Sequence, residues 1–194
     1  SFYNETDGRA IPPTPTVGIV GLLEDVEKRV RLPFHSEGDR IAQLGATRDE
    51  LGGSEFLRTW RNRDEGPCPE LDLDAERRLA GLLADLAEEG RLASAHDLSD
   101  GGLGVALAEC AMQAGRGALV DVDTDLRTSS LLFGESTARA LISFRPENEG
   151  AVRDAANAAG VALDAPQRLD LRSAAALWPA ADAPLFAQAR AVLH

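Results

Sequence analysis

The strand-like segment "RVRLPF" at 29–34 is followed by a second, "DRIAQLG" at 39–45, with the turn "HSEGD" between them. Parallel neighbours need a crossover of about a dozen residues or more, and this link is too short to supply one. Several later connections are short in the same way. Strand-like and helix-like stretches nevertheless alternate along the chain. The class that satisfies both observations is α+β, with a mixed or mostly antiparallel sheet and helices packed on one face.

The helical stretches are marked by spacing. In "LDAERRLAGLLADLAEEGR" apolar residues fall at 79, 82, 83 and 86, one face of an amphipathic helix. Asp72 or Asp74 is placed to cap it, and Gly90 to stop it. Helices are also expected over about 101–114 (ending at Gly115), over "ENEGAVRDAANAAG" (ending at Gly160) and in the tail "PLFAQARAV". Another starts at or after Gly53. Strands are expected at 16–23, in "LASAHDL", in "ALVDVD", over about 138–144 and in "VALDAPQRLDL"; 129–134 reads as a turn or short helix.

Charge excludes one class of partner. The chain of 194 residues carries a formal net charge of −12 and a single lysine, Lys28, with no basic cluster. A nucleic-acid surface needs such a cluster to displace counterions. No stretch reaches the roughly 18 apolar residues of a membrane span. The two cysteines, Cys68 and Cys110, lie in unlike contexts without a CxxC or Cys/His neighbourhood, which fits neither a disulfide scaffold nor zinc. A reducing, cytoplasmic setting is expected. The start at Ser1 and the single methionine, Met112, suggest a piece of a longer product.

The chemistry concentrates in "SAHDLSDGGLGVALAECAMQAG", residues 94–115, a strand end, a glycine turn and a helix. Backbone N–H groups at such a helix start suit an anion, yet Asp97 and Asp100 would repel one. A hard cation reconciles the two, because Mg²⁺ takes one or two carboxylates together with substrate phosphates. On this reading Gly101 and Gly102 permit close backbone approach. The simpler alternative is that Asp100 caps the helix with help from Ser99. His96 reads as a hydrogen-bonded packing residue, since nothing nearby in sequence completes a catalytic pair. "GGSEF" at 52–56 reads as a helix start capped by Ser54, or as an anion-holding nest. "LFGES" at 132–136 reads as a turn. The polar "SFYNETDG" suits a substrate loop or a solvated one.

Taken in order, "SFYNETDGRAIPPTPTVGIVGLLEDV", "GGSEF" and "AHDLSDGGLGVALAE" resemble the C-terminal part of the phosphoribosylformylglycinamidine synthase family, in its smaller bacterial form. The resemblance implies a C-terminal domain like that of aminoimidazole ribonucleotide (AIR) synthetase over 25–194, preceded at 1–24 by the end of an N-terminal-like domain. It implies an ATP-dependent ligase of purine biosynthesis. That enzyme turns formylglycinamide ribonucleotide, ATP and glutamine-derived ammonia into formylglycinamidine ribonucleotide, ADP and phosphate. By the same resemblance Ser1 matches a substrate-contacting serine. Asp97 is the expected metal ligand, Asp100, Gly101 and Gly102 form a nucleotide loop, and Mg²⁺ and ATP are the cofactors. No catalytic residue is carried over. Implied partners are the rest of the chain, a separate glutaminase and small accessory subunits. The alternative is a non-catalytic scaffold module, and the isolated chain is expected to be inactive.

Overall fold

The structure is a computed structural model and describes residues 5–11, 17–118, 120, 124–164 and 171–173. Its centre is a four-stranded sheet in the order β4-β6-β3-β7, with β3 at Arg40–Leu44, β4 at Ser94–Asp97, β6 at Ala140–Phe144 and β7 at Leu163–Asp164. Every pairing in it is antiparallel. Two small ribbons accompany it: β1 (Glu5–Thr6) with β2 (Arg9–Ala10), and β5 (Arg116–Ala118) with β8 (Leu171–Ser173). The α+β class and the antiparallel sheet are as expected.

The placement of the helices is not. Register puts Ala42, Leu44, Ala140, Ile142 and Phe144 on one face, where they meet Leu79, Leu82 and Leu86 of α1 (Leu73–Glu88) and Val152 and Ala156 of α4 (Glu149–Ala159). Ile41 and Leu141 point the other way, against Leu103, Ala106 and Cys110 of α2 (Gly102–Ala114). Helices therefore cover both faces. The physical reason is visible in β6, whose five residues "ALISF" are all buried. A central strand with no polar alternation needs cover on each side.

Local signals explain most boundaries. The Asp72 carboxylate accepts the N–H groups of Asp74 at 3.0 Å and Ala75 at 2.9 Å, capping α1. Gly115 and Gly160 end α2 and α4 in the left-handed conformation that glycine adopts without steric cost. Residues 128–133 form the short helix α3.

Two expected strands are corrected. Residues 17–23 form neither strand nor helix, and Val17, Ile19, Val20 and Leu22 stand at least 78% exposed. Apolar alternation alone does not make a strand when no neighbour supplies the ladder. "RVRLPF" contributes a single bridge, Arg31 to Ser94. The ribbon strand β5 begins at Arg116, ahead of "ALVDVD", whose residues 119 and 121–123 lie outside the described residues. "VALDAPQRLDL" contains β7 and the first residue of β8, with 165–170 between them outside the described residues. The expected tail helix lies outside them as well. No helix among the described residues is long and apolar enough to cross a membrane.

Candidate functional site

Strand β4 sits at the edge of the sheet and delivers the loop 97–101 at its end. Burial alternates through this loop: Asp97, Ser99 and Asp100 are exposed, while Leu98, Gly101 and Gly102 are buried. The backbone thus turns its oxygen-bearing side chains to solvent and roots itself through apolar and glycine positions. The Leu98 N–H donates to the Arg139 carbonyl at 3.1 Å, anchoring the middle of the loop.

Asp97 is held from two sides. Its Oδ1 lies 3.0 Å from His96 Nδ1, and its Oδ2 accepts the Ser99 hydroxyl at 2.7 Å. The Ser99 hydrogen bond is the main cause that holds the Asp97 carboxyl below the usual carboxylate range, with His96 assisting and partial burial opposing. His96 in turn places Nε2 2.8 Å from Glu109 Oε2 on α2. His96 is thus the hydrogen-bonded packing residue expected, but it packs between two carboxylates. Glu109 was not legible as a partner from sequence spacing. Its signal is that it is the one charged residue of α2, "GLGVALAECAMQA".

The glycines are occupied by the protein itself. Gly101 occupies the cap position of α2 at φ 78° with no side-chain cap, so neither Asp100 nor Ser99 caps the helix. Instead Glu135 Oε1 accepts the Gly101 N–H at 2.8 Å. The same oxygen accepts the Glu55 N–H, also at 2.8 Å, where the chain enters a short π-helical turn, Phe56–Trp60. The buried Ser54 sits at the start of that turn and accepts the Leu57 N–H on its hydroxyl at 3.4 Å, in line with a structural helix start. Gly102, at φ 63°, faces the backbone of Leu132–Gly134. "LFGES" is not a turn: Leu132 and Phe133 end α3 and Gly134 leaves it in extended conformation, and its glutamate joins the two glycine motifs, a role no local pattern announces.

That corner is firmly seated. The buried Arg139 donates from Nη2 to the Gly134 carbonyl at 2.6 Å, from Nε to the Ser136 carbonyl at 2.8 Å and from Nη1 to Thr47 Oγ1 at 2.9 Å. Burial pushes its guanidinium down to about 10, with Glu50 and Glu135 opposing. Phe133 stacks on Phe56 with ring centroids 4.9 Å apart, a second tie between corner and π-helical turn.

Could this loop hold Mg²⁺? Among the described residues no three His, Cys, Asp or Glu side chains cluster as a metal site. The Asp97 side chain is 74% exposed, however, and a single outward carboxylate fits the habit of Mg²⁺, which fills its remaining positions with water and phosphate oxygens. Beside Asp97, a cavity of about 350 Å³ is lined by Leu32, Leu79, Leu83 and Ala95, with Glu76 and Arg139 as its charged residues beyond the 96–97 pair. Ser1 lies outside the described residues.

Comparison with known proteins places this architecture. The curated phosphoribosylformylglycinamidine synthase subunit PurL of Moorella thermoacetica is 47% identical over 161 residues, covering 83% of this chain and 22% of the relative. The chain thus spans about a fifth of that relative's length. A solved structure of Thermotoga maritima PurL complexed with FGAR superposes with a TM-score of 0.67 at 21% identity, over 76% of this chain and 26% of that one. The structure of PurLQS from the same organism superposes with a TM-score of 0.59 at 21% identity, over 76% of this chain and 24% of the other. At that identity the likeness establishes the fold. Residues 36–165 match the family model of the AIR synthase related protein, C-terminal domain, and the chain belongs to that family.

Proposed function

We propose that this chain is the C-terminal part of a phosphoribosylformylglycinamidine synthase, the ATP-dependent carbon–nitrogen ligase of purine biosynthesis. The observation that carries the reading is the 47% identity over 161 residues to a curated subunit of that name. The reaction joins ammonia to formylglycinamide ribonucleotide with conversion of ATP to ADP and phosphate. Phosphoryl transfer needs metal, phosphate cradle and nucleophile together. Within this chain Asp97 would hold the metal, and Asp100 belongs to the nucleotide loop. Gly101 and Gly102 shape that loop from behind, while Ser1 contacts substrate.

Residues 1–24 close a preceding domain and 25–194 form the C-terminal one. The exposed apolar run at 17–23 supports that division, because Ile19, Val20 and Leu22 at more than 90% exposure suit a segment covered by other parts of a larger protein. A separate glutaminase and small accessory subunits are the partners that go with this reading, and a cytoplasmic location goes with it too. By itself the chain acts as a scaffold, since a lone carboxylate loop is not an active site.

The test has two arms. The intact protein, supplied with formylglycinamide ribonucleotide, ATP, Mg²⁺ and ammonia, is expected to release ADP and phosphate, and residues 1–194 alone are not. Titration calorimetry of the intact protein with ADP is expected to show Mg²⁺-dependent binding that weakens at least tenfold in Asp97→Ala. Absence of turnover in the intact protein would overturn the ligase assignment. Unchanged ADP binding in the variant would remove Asp97 from the site.

A further inference from the structure

We infer that Glu135 is the positioning residue of the 97–101 loop, an internal anion that sets the attitude in which Asp97, Ser99 and Asp100 face solvent. The inference rests on the reading of that loop as a magnesium–nucleotide element, and it assigns a part to a residue that touches neither metal nor nucleotide.

One oxygen, Glu135 Oε1, receives N–H groups from Gly101 and Glu55 at 2.8 Å each. The two donors open separate helical segments, and orphan N–H groups at such ends carry partial positive charge that a carboxylate stabilises. Charge-assisted hydrogen bonds of this kind are roughly twice as strong as neutral ones. Glu135 also cannot drift, because the Gly134–Ser136 backbone beneath it is gripped by Arg139, and the Ser136 hydroxyl accepts the Arg48 N–H at 3.1 Å. On the other side Gly102 rests against the Gly134 carbonyl. The loop is thus fixed at its root by a rigid acceptor, while the side chains of Asp97, Ser99 and Asp100 face solvent. An external phosphate has no claim on the Gly101 N–H while Glu135 holds it. Ligand contact therefore falls to the side chains of 97, 99 and 100.

The experiment uses the intact protein, with amide hydrogen exchange and Mg²⁺·ADP affinity read on wild type, Glu135→Ala, Glu135→Asp and Asp97→Ala. Expected for Glu135→Ala is at least tenfold faster exchange at both 99–103 and 55–57, with the core strand 140–144 unchanged, together with at least tenfold weaker Mg²⁺·ADP binding. Glu135→Asp, which withdraws the carboxylate by one methylene, is expected to lie between, and it carries the test if the alanine variant does not fold. Unchanged exchange at 99–103 overturns the inference. Faster exchange with unaltered nucleotide affinity also overturns it where Asp97→Ala does weaken binding, leaving Glu135 a structural residue. If Asp97→Ala leaves binding unaltered as well, the nucleotide reading itself fails and the positioning role falls with it.

Discussion

A Cβ atom placed on Gly102 would sit 2.5 Å from the carbonyl oxygen of Gly134, and the Gly102 φ of 63° is one that side-chain-bearing residues rarely adopt. Gly102→Ala is therefore expected to destabilise the fold by at least about 2 kcal/mol, combining left-handed strain with a backbone clash. Gly81 makes the internal control. It lies exposed within α1 with nothing within 4 Å of its missing Cβ, so Gly81→Ala should stabilise by about 0.4–1 kcal/mol. Urea denaturation of the two variants measures both; equal midpoints would contradict the packing of the 132–134 corner.

Leu86 is 2% exposed in the cluster that α1 forms with the sheet and α4, whereas Leu73 at the start of the same helix is 66% exposed. Leu86→Ala is expected to cost about 2–5 kcal/mol, the range for buried leucine truncation. Leu73→Ala should fall within about 0.5 kcal/mol of wild type. Thermal or chemical unfolding of the pair distinguishes core from surface on one element.

Burial pushes the Cys110 thiol up to about 12, whereas Cys68 is exposed in its loop. At pH 8 an alkylating reagent should modify Cys68 in the native protein and reach Cys110 only after denaturation, because the thiolate is the reactive form. Mass spectrometry of the labelled peptides reads this directly. Early labelling of Cys110 would mean that α2 opens from the sheet.

The Asp97 carboxyl is held low by Ser99 first and His96 next. Its folded value lies below the unfolded one, near 3.9. The stabilisation it brings is therefore complete above about pH 4 and fades as pH falls through the folded value. Asp97→Asn should remove this component, so the difference between wild-type and variant stability is expected to shrink on acidification below about pH 4. The difference should stay under about 1 kcal/mol, since the side chain is largely in water. A flat difference from pH 2 to 7 would mean that the Ser99 and His96 contacts do not persist in solution.

The sequence made the elements legible wherever the decisive contact was local. Apolar spacing, the Asp72 cap and the stop at Gly90 spelled α1, and "ALISF" announced a strand. Pairing and partnership were not legible: the short link between 29–34 and 39–45 joins no pair, and β3 takes β6 and β7 as neighbours instead. The 17–23 run carries strand-like alternation, but a strand needs a neighbour, and alternation says nothing about one. The same limit hid the centre of the candidate site. Asp97 was identifiable because it lies in a recognisable turn, but Glu109 and Glu135 act across 13 and 34 residues respectively. Helices on both faces of the sheet were likewise implicit in the uninterrupted burial of β6, a pattern that a short apolar run does not distinguish from one-sided cover.

A single carboxylate oxygen shared by two turns also ties their lengths together. Inserting one residue between Leu98 and Gly101 would carry the donated N–H roughly 3.5 Å along the chain, beyond hydrogen-bond reach of Glu135. An insertion between Ser54 and Phe56 would do the same from the other side. Neither turn can be lengthened, shortened or grafted alone, and any redesign of one has to treat the pair as a single inherited unit.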